Sequence, residues 1–264
     1  MKKRITFLFV CGVLTAFLLS TAQPGKTAEM DDQQAMDILL DMARTLAEAK
    51  QFSVTVRSSY DAPQENGQMV EFGALRNIQV KRPDKLRVDL QRSDGDQRIL
   101  VFDGKQIIVH NVTENVYAKA EKVGTVDDAV KYIVGVLKTP LPLARMFRTS
   151  IPVELEQLVE EIDYVELNML TDVKTDHLAV RTRDVDFQIW ITRGKEPLPR
   201  RIIITYKNFR GHPQFRADFS NWDLTAKGVK GPFTYILPKN AEQIPLLASD
   251  SLEAAIPGRE GGAK

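Results

Sequence analysis

A two-residue alternation of apolar and polar side chains runs through most of this sequence and limits the folds open to it. In the segment 52–56, Phe52, Val54 and Val56 alternate with polar residues, which is typical of a β-strand with one buried face. The predicted strands are residues 52–56, 69–80, 86–90, 99–102, 106–111, 116–120, 165–170, 175–182, 185–192, 200–209 and 214–224. Short turns such as Asp103-Gly104 join them, so consecutive strands are expected to pair antiparallel.

Two regions have the helical period instead. Residues 31–50 predict an amphipathic helix that Asp31 caps, and Thr125 can cap another helix at the start of a central insertion. The insertion is predicted to hold a helix that begins at Val126 and stops before Pro140 and Pro142, short helices at 143–147 and 153–159, and a solvated helix end at Glu160 and Glu161. These elements predict an α+β fold. Its strongly curved antiparallel sheet, a half-barrel of about ten or eleven strands, is covered by the N-terminal helix and by the insertion acting as a lid.

Several strands are more apolar than a sheet with one solvated face requires. Residues 107–109 and 202–204 are apolar throughout, and most of 187–191 is apolar as well. Such strands usually bury both faces. We expect one face to pack a core and the other to meet lid helices or a ligand.

The N-terminus has the pattern of a secretory signal peptide. A basic segment, residues 2–4, precedes an apolar run at 5–19, which is short for a membrane-spanning helix. Cleavage is expected after Ala22 or Ala28, and the alternative is an uncleaved N-terminal anchor. Cys11 lies inside the apolar run without the small residues that precede a lipidated cysteine. The predicted organisation is a signal peptide at 1–28, a single domain at 29–247 and a flexible tail at 248–264.

The sequence contains no recognisable catalytic or metal-binding motif. It has no G-x-S-x-G elbow and no G-x-G-x-x-G fingerprint. His110, His177 and His212 lie in separate segments without metal-ligand spacing, and we interpret them as strand-surface or turn residues. Asp184 and Asp186 share a strand face but are explained as solvent-facing charges. We therefore predict no catalytic residue, no metal, no cofactor and no enzymatic activity. The net charge of +1 argues against a nucleic-acid partner.

Six segments spread along the chain resemble a known family. They are QFSVTV at 51–56, RPDKLRV at 82–88, FDGK at 102–105, LPRRI at 198–202, FRADFSNW at 215–222, and FTYILPKNA at 233–241, the last resembling a closing strand and proline turn. Together they resemble the DUF2092 type of predicted periplasmic protein in the LolA/LolB-like lipoprotein-carrier superfamily. The resemblance implies a half-barrel with an apolar cavity that accepts acyl chains. Because there is no lipidation motif, it implies a soluble carrier without a stable transmembrane anchor after processing.

Two functions fit this resemblance. The first is a periplasmic carrier that shields a lipid, an acyl chain or a lipidated protein from water and releases it when the lid helices move. The second is a non-enzymatic module of the cell envelope with a filled core, which binds a protein partner through an edge strand or exposed helices. The candidate ligand-lining residues are Val185, Phe187, Ile189, Ile191, Ile202, Ile204, Tyr206, Phe215 and Phe219 on the strands and Val130, Ile133, Val134 and Leu137 on the lid. Alternation alone leaves open whether they line a cavity or form a closed core.

Overall fold

The structure, a computed structural model, describes residues 31–136, 143–170, 172–225 and 233–246. The predicted signal peptide at 1–28 and the predicted tail at 248–264 lie outside these residues. The helical elements are α1 (Asp32–Glu48), α2 (Val126–Lys131), a π-helical turn (Tyr132–Val136), a 3₁₀ turn (Ala144–Phe147) and α3 (Ile151–Leu158). The strands are β1 (Gln51–Pro63), β2 (Met69–Lys81), β3 (Lys85–Arg92), β4 (Gln97–Phe102), β5 (Gln106–Asn111), β6 (Val116–Glu121), β7 (Val159–Asn168), β8 (Thr175–Thr182), β9 (Val185–Thr192), β10 (Pro199–Tyr206), β11 (Gln214–Asp223) and β12 (Glu242–Gln243).

The strands form one open, curved sheet. Their order is β12-β6-β5-β4-β3-β2-β1-β11-β10-β9-β8-β7. Every pair is antiparallel except the short parallel pair of β12 and β6. Consecutive strands pair as hairpins on both sides of β1, and β1 joins the two halves by pairing with β11. This arrangement confirms the predicted α+β half-barrel.

The N-terminal helix begins as its sequence predicts. The Asp31 side chain accepts a hydrogen bond from the Gln34 backbone N–H at 2.8 Å, and the Gln34 side chain accepts one from the Asp31 backbone N–H. This capping box satisfies two N–H groups that the first helical turn would otherwise leave unpaired. The helix then buries one apolar side, including Leu39, Met42 and Leu46, in the core.

The face of the sheet that packs against the helices is called the concave face here, and the opposite face is called the convex face. On the concave face, the strand register aligns Phe52, Val80, Leu86, Phe102 and Ile107 side by side across β1 to β5. All five side chains are buried, and they form a continuous hydrophobic core with the helical elements. We call these five residues the covered row.

A buried arginine ties the helical elements to the sheet. Arg82, directly after β2, donates from Nη2 to the carbonyl oxygens of Phe147 at 2.8 Å and Leu46 at 3.3 Å. Its Nε donates to the carbonyl oxygen of Ala49 at 3.2 Å, and its Nη1 lies 3.5 Å from Asp127 Oδ1. One side chain thus holds the end of α1, the start of α2 and the 3₁₀ turn. We call this set of contacts the Arg82 latch.

The lid differs from its prediction in two places. The α-helix that Thr125 caps gives way to the π-helical turn at Tyr132, which changes the angle between successive side chains. Ile133 stays buried, but Val134 is 40% exposed, so its predicted place on the inner face is wrong. The predicted solvated helix end is also wrong, because Glu160 and Glu161 belong to β7. The predicted stops Pro140 and Pro142 lie outside the described residues.

The C-terminal segment 233–246 begins on the convex face, and Leu246 at its end packs against the hydrophobic core. Tyr235 hydrogen-bonds to His110 of β5 and lies under the guanidinium of Arg87, 5.9 Å from its ring centre. The closing strand predicted at 233–241 is absent from these residues, because the segment crosses the face and reaches a ladder position only at Glu242–Gln243. The predicted proline turn is present, since the backbone N–H of Ala241 donates to the Pro238 carbonyl at 3.1 Å. The convex side of β5 therefore contacts this segment and not the lid helices.

Candidate ligand-binding face

The ligand-lining residues predicted from the sequence come together in one place. Eleven of the thirteen belong to the hydrophobic core or pack against its edge: Val130, Ile133, Val185, Phe187, Ile189, Ile191, Ile202, Ile204, Tyr206, Phe215 and Phe219. Ile189, Ile191 and Phe219 are no more than 2% exposed. Val134 is on the outside of the lid, and Leu137 lies outside the described residues. In the described part of the chain these eleven residues pack against helices and neighbouring strands.

The concave face becomes open next to the covered row. One row further along the strands, the register aligns Ile78, Val88, Leu100 and Val109 across β2 to β5. Val88, Leu100 and Val109 pack against the core but are only partly buried. We call these three residues the open row. The helices therefore cover one end of the concave face and leave an apolar strip beside it in contact with solvent.

Arginines border the open row on the side away from the helices. Arg76 of β2 lies opposite Leu90 of β3, which in turn lies opposite Arg98 of β4. Arg92 is two residues beyond Leu90 on the same strand, so its side chain is on the same face. The concave face thus changes from buried apolar, to partly exposed apolar, to cationic within three rows.

Two of these arginines have carboxylate partners. Arg98 Nε is 2.7 Å from Asp96 Oδ2, and Arg92 Nε is 3.3 Å from Asp94 Oδ2. Arg76 forms no ion pair with any carboxylate of the described residues. Since two of the three positive charges are matched locally, Arg76 is the one that lacks a counter-charge in this part of the chain.

A hydroxyl group is the side-chain partner of Arg76. Arg76 Nη1 donates to Ser58 Oγ at 2.5 Å, and Ser58 Oγ is 3.5 Å from the Ala74 carbonyl, to which it donates. Burial lowers the pKa of Arg76 below its ordinary value, the positive charge of Arg92 lowers it further, and Tyr60 acts in the opposite direction. The guanidinium is thus held in a partly buried place where its charge is poorly compensated.

The open row and Arg76 were not among the predicted site residues. A signal for Arg76 was present, because on β2 it occupies the inward register between Ala74 and Ile78. Arginine is rarely placed on an inward strand position without a partner. No local signal separates the open row from the covered row, because that difference depends on where the helices end.

Two of the three histidines differ from their predicted surface setting. His212 lies in a turn at φ 46°, as predicted. His110 and His177 are buried, because Tyr235 contacts the His110 ring and Trp190 stacks on the His177 ring at 4.0 Å. Among the described residues, no group of three or more His, Cys, Asp or Glu side chains is placed to hold a metal ion.

The convex face carries two shallow grooves whose linings include several charged residues. The first, of about 200 Å³, includes Ile203 together with Glu161, Asp163, Arg181 and Asp186. The second, of about 540 Å³, includes Arg57, Glu71, Gln91, Arg216 and Asp218. These charges make both grooves poor surroundings for an acyl chain, which gains free energy only by leaving water for apolar contacts.

Several solved structures are similar to this chain. An uncharacterized conserved protein from Thermus thermophilus is 13% identical, with a TM-score of 0.45 over 81% of this chain and 99% of that one. MucB, in a complex of Pseudomonas aeruginosa MucA and MucB, is 17% identical, with a TM-score of 0.38 over 72% of this chain and 56% of that one. A LolA superfamily protein from Nitrosomonas europaea is 12% identical, with a TM-score of 0.34 over 74% of this chain and 97% of that one. None of the curated proteins matches the sequence.

The fold and the site define an α+β protein with an open antiparallel half-barrel, a helical cover and an apolar concave strip bordered by arginines. The chain belongs to the DUF2092 family of predicted periplasmic proteins, whose model matches residues 35–247. This match confirms the family resemblance and the periplasmic location expected from the sequence. In the described ranges, no helix has the length and apolar character needed to cross a membrane.

Proposed function

We propose that this protein binds an apolar ligand, such as the acyl chain of a lipid or of a lipidated protein, on its concave face and carries it in the periplasm without chemical change. The open row is the observation that carries this proposal. Val88, Leu100 and Val109 continue the hydrophobic core, yet the helices leave them partly exposed. A row of apolar side chains in this position lowers the free energy of a bound chain by about 0.8 kcal/mol for each methylene removed from water.

The binding surface in this proposal differs from the one predicted from sequence. Most of the residues predicted on β9 to β11 are buried in the packed core, whereas Val185, Phe187 and Tyr206 are partly buried at its edge. An acyl chain would lie across β3 to β5, over Val88, Leu100 and Val109. This position requires no movement of the buried side chains.

The test is to express the full-length precursor in a bacterial envelope, purify the processed protein without detergent, and record a native mass spectrum. We expect an additional mass that fragments into acyl ions. Uptake of a fluorescent fatty-acid probe by the delipidated protein is the second measurement. A protein that carries no such mass and also fails to bind the probe would contradict the proposal.

A bulky substitution tests where the ligand binds. Val88→Trp should weaken probe binding at least about tenfold, because the indole fills the open strip, while stability changes little because the position is only partly buried. Gln91→Trp is the matched control, since Gln91 is an exposed residue on the convex side of the same strand. Equal loss of binding in both variants, or in neither, would show that the open row is not the binding surface.

A second candidate function, binding of an envelope protein partner, is favoured by the free edge of the sheet. β7 ends the strand order, so one side of its backbone lacks a partner strand within the described residues. Val165, Leu167 and Met169 in this region are 49%, 36% and 59% exposed. A photo-crosslinker at Met169 should then give one discrete protein adduct in the cell envelope, and the same crosslinker at Gln91 should not. No adduct at Met169 would contradict this second function.

A further inference from the structure

The guanidinium of Arg76 has an unusual position for an arginine. Its strand neighbours on the concave face, Ala74 and Ile78, are apolar, and Leu90 lies directly opposite. Its Nη1 donates a hydrogen bond to Ser58 Oγ. The remaining N–H donors of the guanidinium have no side-chain acceptor among the described residues. The charge stands at the border of the open row, where an apolar ligand would end.

We infer that Arg76 binds the anionic head group of the ligand while the open row binds its chain, so that the protein selects an amphiphile with a single negative charge. This inference rests on the proposed function, because it assigns the head-group end of the same site. The number of arginines on this face that lack a carboxylate partner determines the negative charge expected on the head group. Arg92 and Arg98 have their own aspartate partners, so one guanidinium is left for the ligand.

The width of the apolar strip indicates a ligand with one chain. On the concave face, the open row lies between the covered row and the row that contains Arg76 and Arg98. Neighbouring rows on one face are two residues apart along a strand, or roughly 7 Å. A strip one row wide accommodates one extended chain beside the helices. A fatty acid combines one chain with one carboxylate.

The chemistry of the head group also fits a carboxylate. A guanidinium presents parallel N–H donors that match the two oxygens of a carboxylate, and such charge-assisted pairs are stronger than hydrogen bonds between neutral groups. The Ser58 hydroxyl fixes one end of the guanidinium and so orients the free donors. Burial of Arg76 and repulsion from Arg92, which both lower its pKa, would be offset by a bound carboxylate.

The experiment compares palmitate with methyl palmitate in displacing a fluorescent probe from the delipidated full-length mature protein. The two ligands share one chain and differ in the charge of the head group. We expect the wild-type protein to bind palmitate at least about tenfold more tightly than the ester. Arg76→Gln should remove this preference while leaving the affinity for the ester unchanged, and Arg76→Lys should restore part of it.

A matched control and an internal ratio separate head-group recognition from loss of the fold. Arg57→Gln removes an exposed arginine from the convex face of the neighbouring strand and should retain the wild-type preference. The ratio of acid to ester affinity is measured within each variant, so general destabilisation does not reproduce the expected result.

Each of the other possible outcomes would contradict one specific claim. If the wild-type protein binds acid and ester equally, the head-group inference is wrong and the proposed function stands. If it binds neither, the proposed function itself is wrong. If palmitoyl lysophosphatidylglycerol binds more tightly than palmitate and Arg76→Gln removes that difference, the head group is a phosphodiester and the assignment to a carboxylate is wrong.

Discussion

Loss of the Arg82 latch should strongly destabilise the protein. Arg82→Ala removes the donors to three carbonyl oxygens, those of Leu46, Ala49 and Phe147, and the cation beside Asp127. The side chains of Arg82 and Asp127 are only 12% and 15% exposed, so water replaces these partners poorly. Each unpaired carbonyl should cost about 1 kcal/mol, and the carboxylate left without its cation should cost a similar amount. We therefore expect the free energy of unfolding to fall by about 3–5 kcal/mol.

Urea unfolding followed by circular dichroism measures this loss as a lower midpoint. Lys81→Ala is the matched control, because Lys81 is the exposed neighbour of Arg82 and its loss should change stability by less than about 0.5 kcal/mol. Adding Asp127→Asn to Arg82→Ala should recover about 1 kcal/mol, since it removes the buried charge that Arg82 compensated. If Arg82→Ala costs less than about 1 kcal/mol, the contacts of Arg82 do not hold the helices to the sheet and the reasoning is refuted.

Two further predictions concern the core and the buried histidine. Phe102→Ala in the covered row should cost about 3–5 kcal/mol in the same unfolding assay, because its side chain is fully buried, and a loss below about 1 kcal/mol would contradict the packing described. Burial lowers the pKa of His177 below its ordinary value of 6.5, so the unfolded chain binds a proton more readily than the folded one as the pH falls. Stability should therefore decrease from about pH 7 to about pH 5. His177→Gln should flatten this decrease, measured as the urea midpoint at each pH, and an unchanged slope would show that another group causes it.

The strands were the most predictable part of the fold. β8 and β9 have the same ends in the structure as in the sequence prediction, because turn residues bound these strands on both sides. The start of β7 was not predictable in this way. The chain passes from α3 into β7 at Val159 without a glycine or proline, and Glu160 and Glu161 are as suitable for an exposed edge strand as for a helix end.

The site was less predictable than the sheet because its position depends on contacts distant in sequence. The apolar residues of β9 to β11 and those of β3 to β5 have the same pattern, and contacts distant in sequence determine which of them are fully buried. Burial of His110 depends on a segment more than a hundred residues further along the chain. The inward register of Arg76 was the exception, since an arginine among apolar strand positions is visible in the sequence itself.

The position of the open row changes the mechanism expected for ligand exchange. The sequence suggested lid helices that move to release the ligand, but such a movement would break the Arg82 latch and separate Phe147 from Phe52, whose ring centres are 5.6 Å apart. The cost would equal the several kcal/mol of the latch plus the exposure of the covered row. An acyl chain can bind over Val88 and Leu100 without loss of the Arg82 latch and without exposure of the covered row, because these two residues are already partly exposed to solvent. Ligand exchange through the open end, with the helices fixed, is therefore favoured energetically over opening of the lid.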